Sequence, residues 1–263
     1  MFARLSERVI TPKPAVIRYL PNPVLRWLHD CHSRVAARDH NLPPHPREVP
    51  MRRRIRLVLA TTVATAAVAT TTLVAAPAGA TPPGIPSKAT AQSNLNALTV
   101  AAESGSGYNR DLFPHWITIS GACNTRETVL RRDGSGVGVD SSCYPTSGSW
   151  YSPYDGATWT NPADVDIDHI VPLAEAWRSG ANSWTTSRRQ SFANDLNGPQ
   201  LIAVTDNVNQ SKGDQDPSTW QPSRTAYRCT YAKMWIRTKY NWSLRLQSAE
   251  KSALQTMLNT CTS

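Results

Sequence analysis

Between Ala163 and Trp177 the chain reads ADVDIDHIVPLAEAW, gathering Asp164, Asp166, Asp168 and Glu175 around one histidine, His169. Carboxylates this close repel one another unless positive charge neutralises them. A divalent cation is the simplest neutraliser. An aspartate beside a histidine also suits hydrolysis, with Asp168 as metal ligand and His169 as the general base that takes a proton from water. A calcium loop competes, because the four acids fall at positions 1, 3, 5 and 12 of an EF-hand. Against it, His169 stands where that loop needs glycine, Pro172 interrupts it, and the preceding residues carry no helical pattern. The plainest alternative is a hydrogen-bonded surface histidine among acids at a strand end. On a strand, Asp168 and His169 point to opposite faces, so a shared site calls for a bend or bulge.

A second segment, PQLIAVTDNVNQSKGDQDPSTW, supplies the other half. An apolar strand at Pro199–Val204 runs through a turn into a polar stretch carrying Asn209 and Lys212. Their i, i+3 spacing puts both on one face if a helix begins there. Hairpin and helix would then surround one cation.

At this point the chain resembles the HNH endonucleases of the ββα-metal fold, and within them the exported group related to the GmrSD-type C-terminal domain. The resemblance rests on DIDHIVPLAEAW, FANDL, PQLIAV and NQSKGDQDPSTW, with GYNRDLFPHWI, CNTRE and the last two cysteines further out. It spans Ala89 to Cys261. It implies an α+β fold in which a ββα-metal hairpin–helix core is embedded in a mostly helical single domain. It further implies that Asp168 and Asn209 ligate one ion, that His169 activates water, and that DNA is cut to 5′-phosphate ends, with RNA open to the same chemistry. Oxygen ligands without thiolates or several histidines favour Mg²⁺ or Mn²⁺ over zinc. The family's middle asparagine falls on Gln200, whose amide or backbone carbonyl would orient His169; Asn194 and Asn197 are alternatives, each equally a cap or turn residue. Lys212 and Arg126 would contact phosphate, with Glu127 and Asp166 supporting the site. A solvated lysine, an Arg126–Glu127 ion pair and surface acids are the plainer readings. Arg188 and Arg189 would join Arg126 and Lys212 in a local basic groove for the substrate. Two rivals remain: a binding or toxin-associated module that keeps the fold without the chemistry, and a cell-wall hydrolase using Asp166 and Glu175.

The elements that must position these residues read as mostly helical. Ala89–Glu103 has helical spacing, Trp116–Ile119 suggests a strand, and Thr125–Arg132 a helix. Gly134–Pro162 reads as loops and short strands. Helices follow in AEAWRSGA, TTSRRQSFANDL and two C-terminal segments, the last without a capping box because Glu250 stands only two residues after Ser248. Trp177, Trp184, Trp220, Trp235 and Trp242 read as core, and His115 as a core histidine rather than a ligand.

Composition separates this domain from what precedes it. The 263 residues carry net charge +9, but residues 1–80 hold twelve of the 28 Lys+Arg and only four of the 19 Asp+Glu, leaving about +1 for residues 81–263. The overall basicity is therefore no argument for DNA binding. Met51–Ala80 has the basic, apolar and small-residue regions of a secretory signal cleaved near Ala80, and residues 1–50 read as an extension from a mis-assigned start. A secreted monomer without stable membrane association follows. Cys123, Cys143, Cys229 and Cys261 allow three pairings; the local one, Cys123–Cys143 with Cys229–Cys261, is favoured, and a four-cysteine zinc site lacks any CxxC spacing.

Overall fold

The hairpin that carries Asp168 and His169 is buried on both faces, which explains why its second strand shows no polar alternation. A computed structural model describes residues 81–262; the expected signal and upstream extension lie outside them. In chain order the elements are α1 (Lys88–Ala97), β1 (Thr118–Ser120), β2 (Cys123–Asn124), α2 (Thr125–Asp133), β3 (Ser135–Val139), β4 (Pro145–Tyr151), β5 (Thr158–Trp159) and β6 (Val165–His169). They continue with α3 (Leu173–Arg178), α4 (Thr186–Ala193), β7 (Leu201–Thr205), α5 (Asp206–Lys212), α6 (Arg228–Trp242) and α7 (Ser248–Asn259). This is a mixed α+β fold, helical towards its C-terminus.

Three small antiparallel sheets, β1–β2, β3–β4–β5 and β6–β7, account for the named strands. The β6–β7 register runs unbroken from Val165 opposite Thr205 to His169 opposite Leu201. Val165, Ile167, Leu201 and Ala203 therefore share one face and pack on Val129, Leu130 and Trp150. Ile202 and Val204 share the other with a larger cluster that includes Leu95, Phe192, Trp235 and Leu254. Helix α5 follows β7 without a loop, so it must fold back over the hairpin.

Helix α2 substitutes for a third strand. Its Asp133 carboxylate accepts from Ala203 N at 2.8 Å and Arg132 donates to the Leu201 carbonyl at 2.6 Å. These bonds satisfy backbone groups that a bare edge would leave open. The helix starts on a reciprocal capping box between Asn124 and Glu127.

Two expectations are corrected here. Helix α1 ends at Ala97 rather than Glu103, because Val100 pairs with Leu246 in an isolated bridge. Helix α7 does carry a capping box, formed by Gln247 and Glu250, one residue earlier than Ser248. Cystines join Cys123 to Cys143 and Cys229 to Cys261, the local pairing. Among the described residues no helix is long and apolar enough to cross a membrane.

Candidate active site

Period two on β6 and the helical period of α5 meet in register. Asp166 and Asp168 project from one face of the strand, and Asn209 and Lys212 from one face of the helix. Asn209 Nδ2 donates to Asp166 Oδ2 at 3.1 Å, and Lys212 Nζ to Asp168 Oδ1 at 2.8 Å. Gly213, at φ 51° and ψ −131°, ends α5 in a conformation that side chains rarely adopt. A cleft of about 200 Å³ opens there, lined by Arg110, Asp168, His169, Asn209 and Asp214 among others.

His169 is the last residue of β6 and belongs to the opposite strand face. No bulge brings it round; the cleft instead spans the strand end, where both faces are within reach. His169 is only 5% exposed. Its Nε2 lies 2.9 Å from the Ala193 carbonyl oxygen at the end of α4. A carbonyl only accepts, so Nε2 carries the proton and Nδ1 keeps the lone pair. Burial pulls the pKa down to about 3, partly opposed by the Ala193 bond, with the nearby Arg110 and Lys212 cations lowering it further. The ring is therefore neutral at physiological pH. Trp116 packs on it with ring centroids 5.4 Å apart. Trp116 adopts φ 56°, an uncommon backbone conformation for a bulky residue.

Each Asp168 oxygen accepts one hydrogen bond from a buried side chain. Besides Lys212, the fully buried Tyr154 hydroxyl donates to its Oδ2 at 2.5 Å. Burial raises the Asp168 pKa and lowers that of Lys212. The pairing opposes both desolvation costs without cancelling them.

Several expected roles change on this geometry. Lys212 is neither solvated nor turned to a phosphate: it is fully buried, and its amine also donates to the His169 carbonyl at 2.9 Å. Arg126 donates to the carbonyls of Pro162 and Val165, steadying the start of β6. Glu127 caps α2 rather than supporting the cleft. Gln200 makes no hydrogen bond to the imidazole; its side-chain amide exchanges two hydrogen bonds with the Val171 backbone, and its carbonyl accepts from Ile170 N. It extends the hairpin like one more ladder rung. Asn194 caps α4 and bridges Thr125, Pro114 and Ile117, fixing the turn that presents the Ala193 carbonyl. Glu175 is buried against Lys239, Ser179 and Arg178, away from the cleft, which excludes both the EF-hand loop and a carboxylate pair with Asp166.

What reading the sequence missed is the second half of each pair. Ala193 acts through its backbone and leaves no signal in a side chain. Tyr154 lies in a stretch that reads as loop. Trp116 and Arg110 sit in the GYNRDLFPHWI segment, whose polar and aromatic content was the available clue.

Whether these residues suit a cation can be tested on their donors. Asn209 Oδ1 accepts no hydrogen bond among the described residues, and each Asp168 oxygen retains a lone pair beyond its one donor. No group of three His, Cys, Asp or Glu among them could cage an ion. An all-oxygen set of two or three protein ligands fits Mg²⁺, which keeps waters and takes substrate oxygens to complete its shell.

The chain is similar to known proteins over the segment that carries this site. The model of the C-terminal domain of GmrSD restriction endonucleases matches residues 136–257, which include both strands and the helix of the site. A protein of Arthroderma benhamiae, described as an uncharacterized secreted protein, is 69% identical over 182 residues, covering 69% of this chain and 89% of its own length. No solved structure matches. Kinship with a secreted protein, together with two disulfides, identifies an exported chain. The chain belongs to the family of the GmrSD restriction endonuclease C-terminal domain.

Proposed function

We propose that this secreted protein is a metal-dependent endonuclease of the HNH type, in which β6, β7 and α5 form a ββα-metal core and the substrate is DNA, with RNA open to the same chemistry. The observation that carries the reading is His169: a neutral imidazole at the cleft wall, its Nε2–H fixed on Ala193 and its Nδ1 left as the base. In the reaction Nδ1 takes a proton from water, the water oxygen bonds to phosphorus, and the P–O3′ bond breaks with the electron pair leaving on the 3′ oxygen. The phosphodiester anion entering the cleft raises the basicity that burial has lowered.

Asp168 and Asn209 would hold one Mg²⁺ or Mn²⁺, with Asp166 behind Asn209. When bound, such an ion supplies charge compensation to phosphate oxygens and lowers the pKa of water. Lys212 and Tyr154 keep the Asp168 carboxylate oriented, and Gln200 holds the chain straight beyond His169.

The test is incubation of the purified protein with supercoiled plasmid across divalent metals. Nicking that disappears with chelator and returns with added metal supports the proposal. Intact plasmid under every metal condition would leave a binding module on the same fold.

A further inference from the structure

Arg110 shares the cleft wall with Asp168, His169 and Asn209. Other cations near the site are committed elsewhere. Lys212 holds Asp168, and Arg126 holds two backbone carbonyls. Arg189 donates to the carbonyls of Leu112, Ala181 and Trp184. Arg178 pairs with Glu103 and Glu175. Arg110, in contrast, is exposed and forms no ion pair among the described residues.

What Arg110 does have is a tether. Its Nε donates to His115 Nε2 at 3.3 Å, while His115 Nδ1 lies 2.8 Å from the Phe113 carbonyl. The carbonyl can only accept, so it draws the proton to Nδ1 and leaves on Nε2 the lone pair that the guanidinium needs. Phe113 is fully buried, which anchors the relay in the core. The His115 ring meets Trp116 edge-on at 5.5 Å, and Trp116 in turn packs on His169. With Nε held, the terminal nitrogens of the fork keep the paired geometry that suits phosphate oxygens.

We infer that Arg110 contacts a phosphate of the nucleic-acid strand lying in the cleft, and that His115 is its positioning residue. The inference rests on the nuclease reading and adds to it the group that grips the substrate.

Arg110→Ala, His115→Ala and the double variant test it in the purified secreted protein. Two readouts are used: kcat/KM for plasmid cleavage, and the salt dependence of binding to a labelled DNA duplex in chelator. Losing one charge-assisted contact lowers kcat/KM roughly ten- to a hundredfold for Arg110→Ala. The slope of log K against log salt becomes shallower by about 0.9, one phosphate contact. His115→Ala gives a smaller loss, mainly in KM, which vanishes in the Arg110→Ala background. Thermal unfolding of Arg110→Ala stays at the wild-type value because the side chain is exposed. If wild type cleaves DNA and Arg110→Ala keeps its rate and salt slope, the inference is overturned while the nuclease reading stands. A His115 loss that persists undiminished without Arg110 overturns the positioning role. Wild-type protein that neither binds nor cuts nucleic acid defeats both readings.

Discussion

His169 and Ala193 stand 24 residues apart in the chain, yet Nε2 of one lies 2.9 Å from the carbonyl oxygen of the other. That bond decides which ring nitrogen keeps its lone pair. It also ties the orientation of the imidazole to the end of helix α4, whose cap Asn194 is held by Thr125 of helix α2.

Burial of this imidazole sets a pH dependence of stability. The pKa of His169 is about 3 in the folded protein against 6.5 as its ordinary value. Between these values the unfolded chain binds the extra proton, so stability rises with pH across the window. The contribution is fully present above pH 6.5 and is lost as pH falls towards 3, at most roughly a few kcal/mol. Denaturant unfolding between pH 4 and 7 should show this slope in wild type and a shallower one in His169→Asn. Equal slopes would mean that the imidazole is not held neutral.

Removing the cation that Asp168 leans on should be costly. Lys212→Met leaves a buried carboxylate paired only with Tyr154, and a loss of about 3–5 kcal/mol is expected. Combining it with Asp168→Asn recovers much of that loss, because the uncompensated charge goes too. Thermal and denaturant unfolding of the three variants measure it. A Lys212→Met protein as stable as wild type would show that the amine is not committed to Asp168.

Much of this was legible in the chain and some could not be. The i, i+3 spacing of Asn209 and Lys212 just after an apolar strand announced a helix face turned to the hairpin that carries Asp168. Direction was the hidden part. With no loop between Thr205 and Asp206, α5 turns Lys212 inward, where a solvated lysine or a phosphate contact was equally natural from spacing alone. Gln200 stands where the family has asparagine, but its amide mimics backbone and spends itself on Val171. Backbone partners such as the Ala193 carbonyl carry no residue signature. The local cysteine pairing was readable because each pair closes a short loop, 20 and 32 residues apart.

Asp166 should tune the metal without binding substrate itself. Its carboxylate holds the Asn209 amide by the nitrogen, leaving the amide oxygen for an ion. Asp166→Ala is expected to raise the metal concentration for half-maximal cleavage about 10–100-fold, the usual effect of losing a group that orients a ligand. Titration of Mg²⁺ or Mn²⁺ against initial nicking rate measures this. An unchanged midpoint would place the ion away from Asn209.

The most direct measurement compares wild type and His169→Ala on supercoiled plasmid with saturating Mg²⁺ or Mn²⁺, each with a chelator control. Wild type should nick the plasmid only without chelator, and the variant should be slower by at least about a hundredfold. Cleavage by His169→Ala at the wild-type rate would contradict the assignment of the base and, with it, the proposed mechanism.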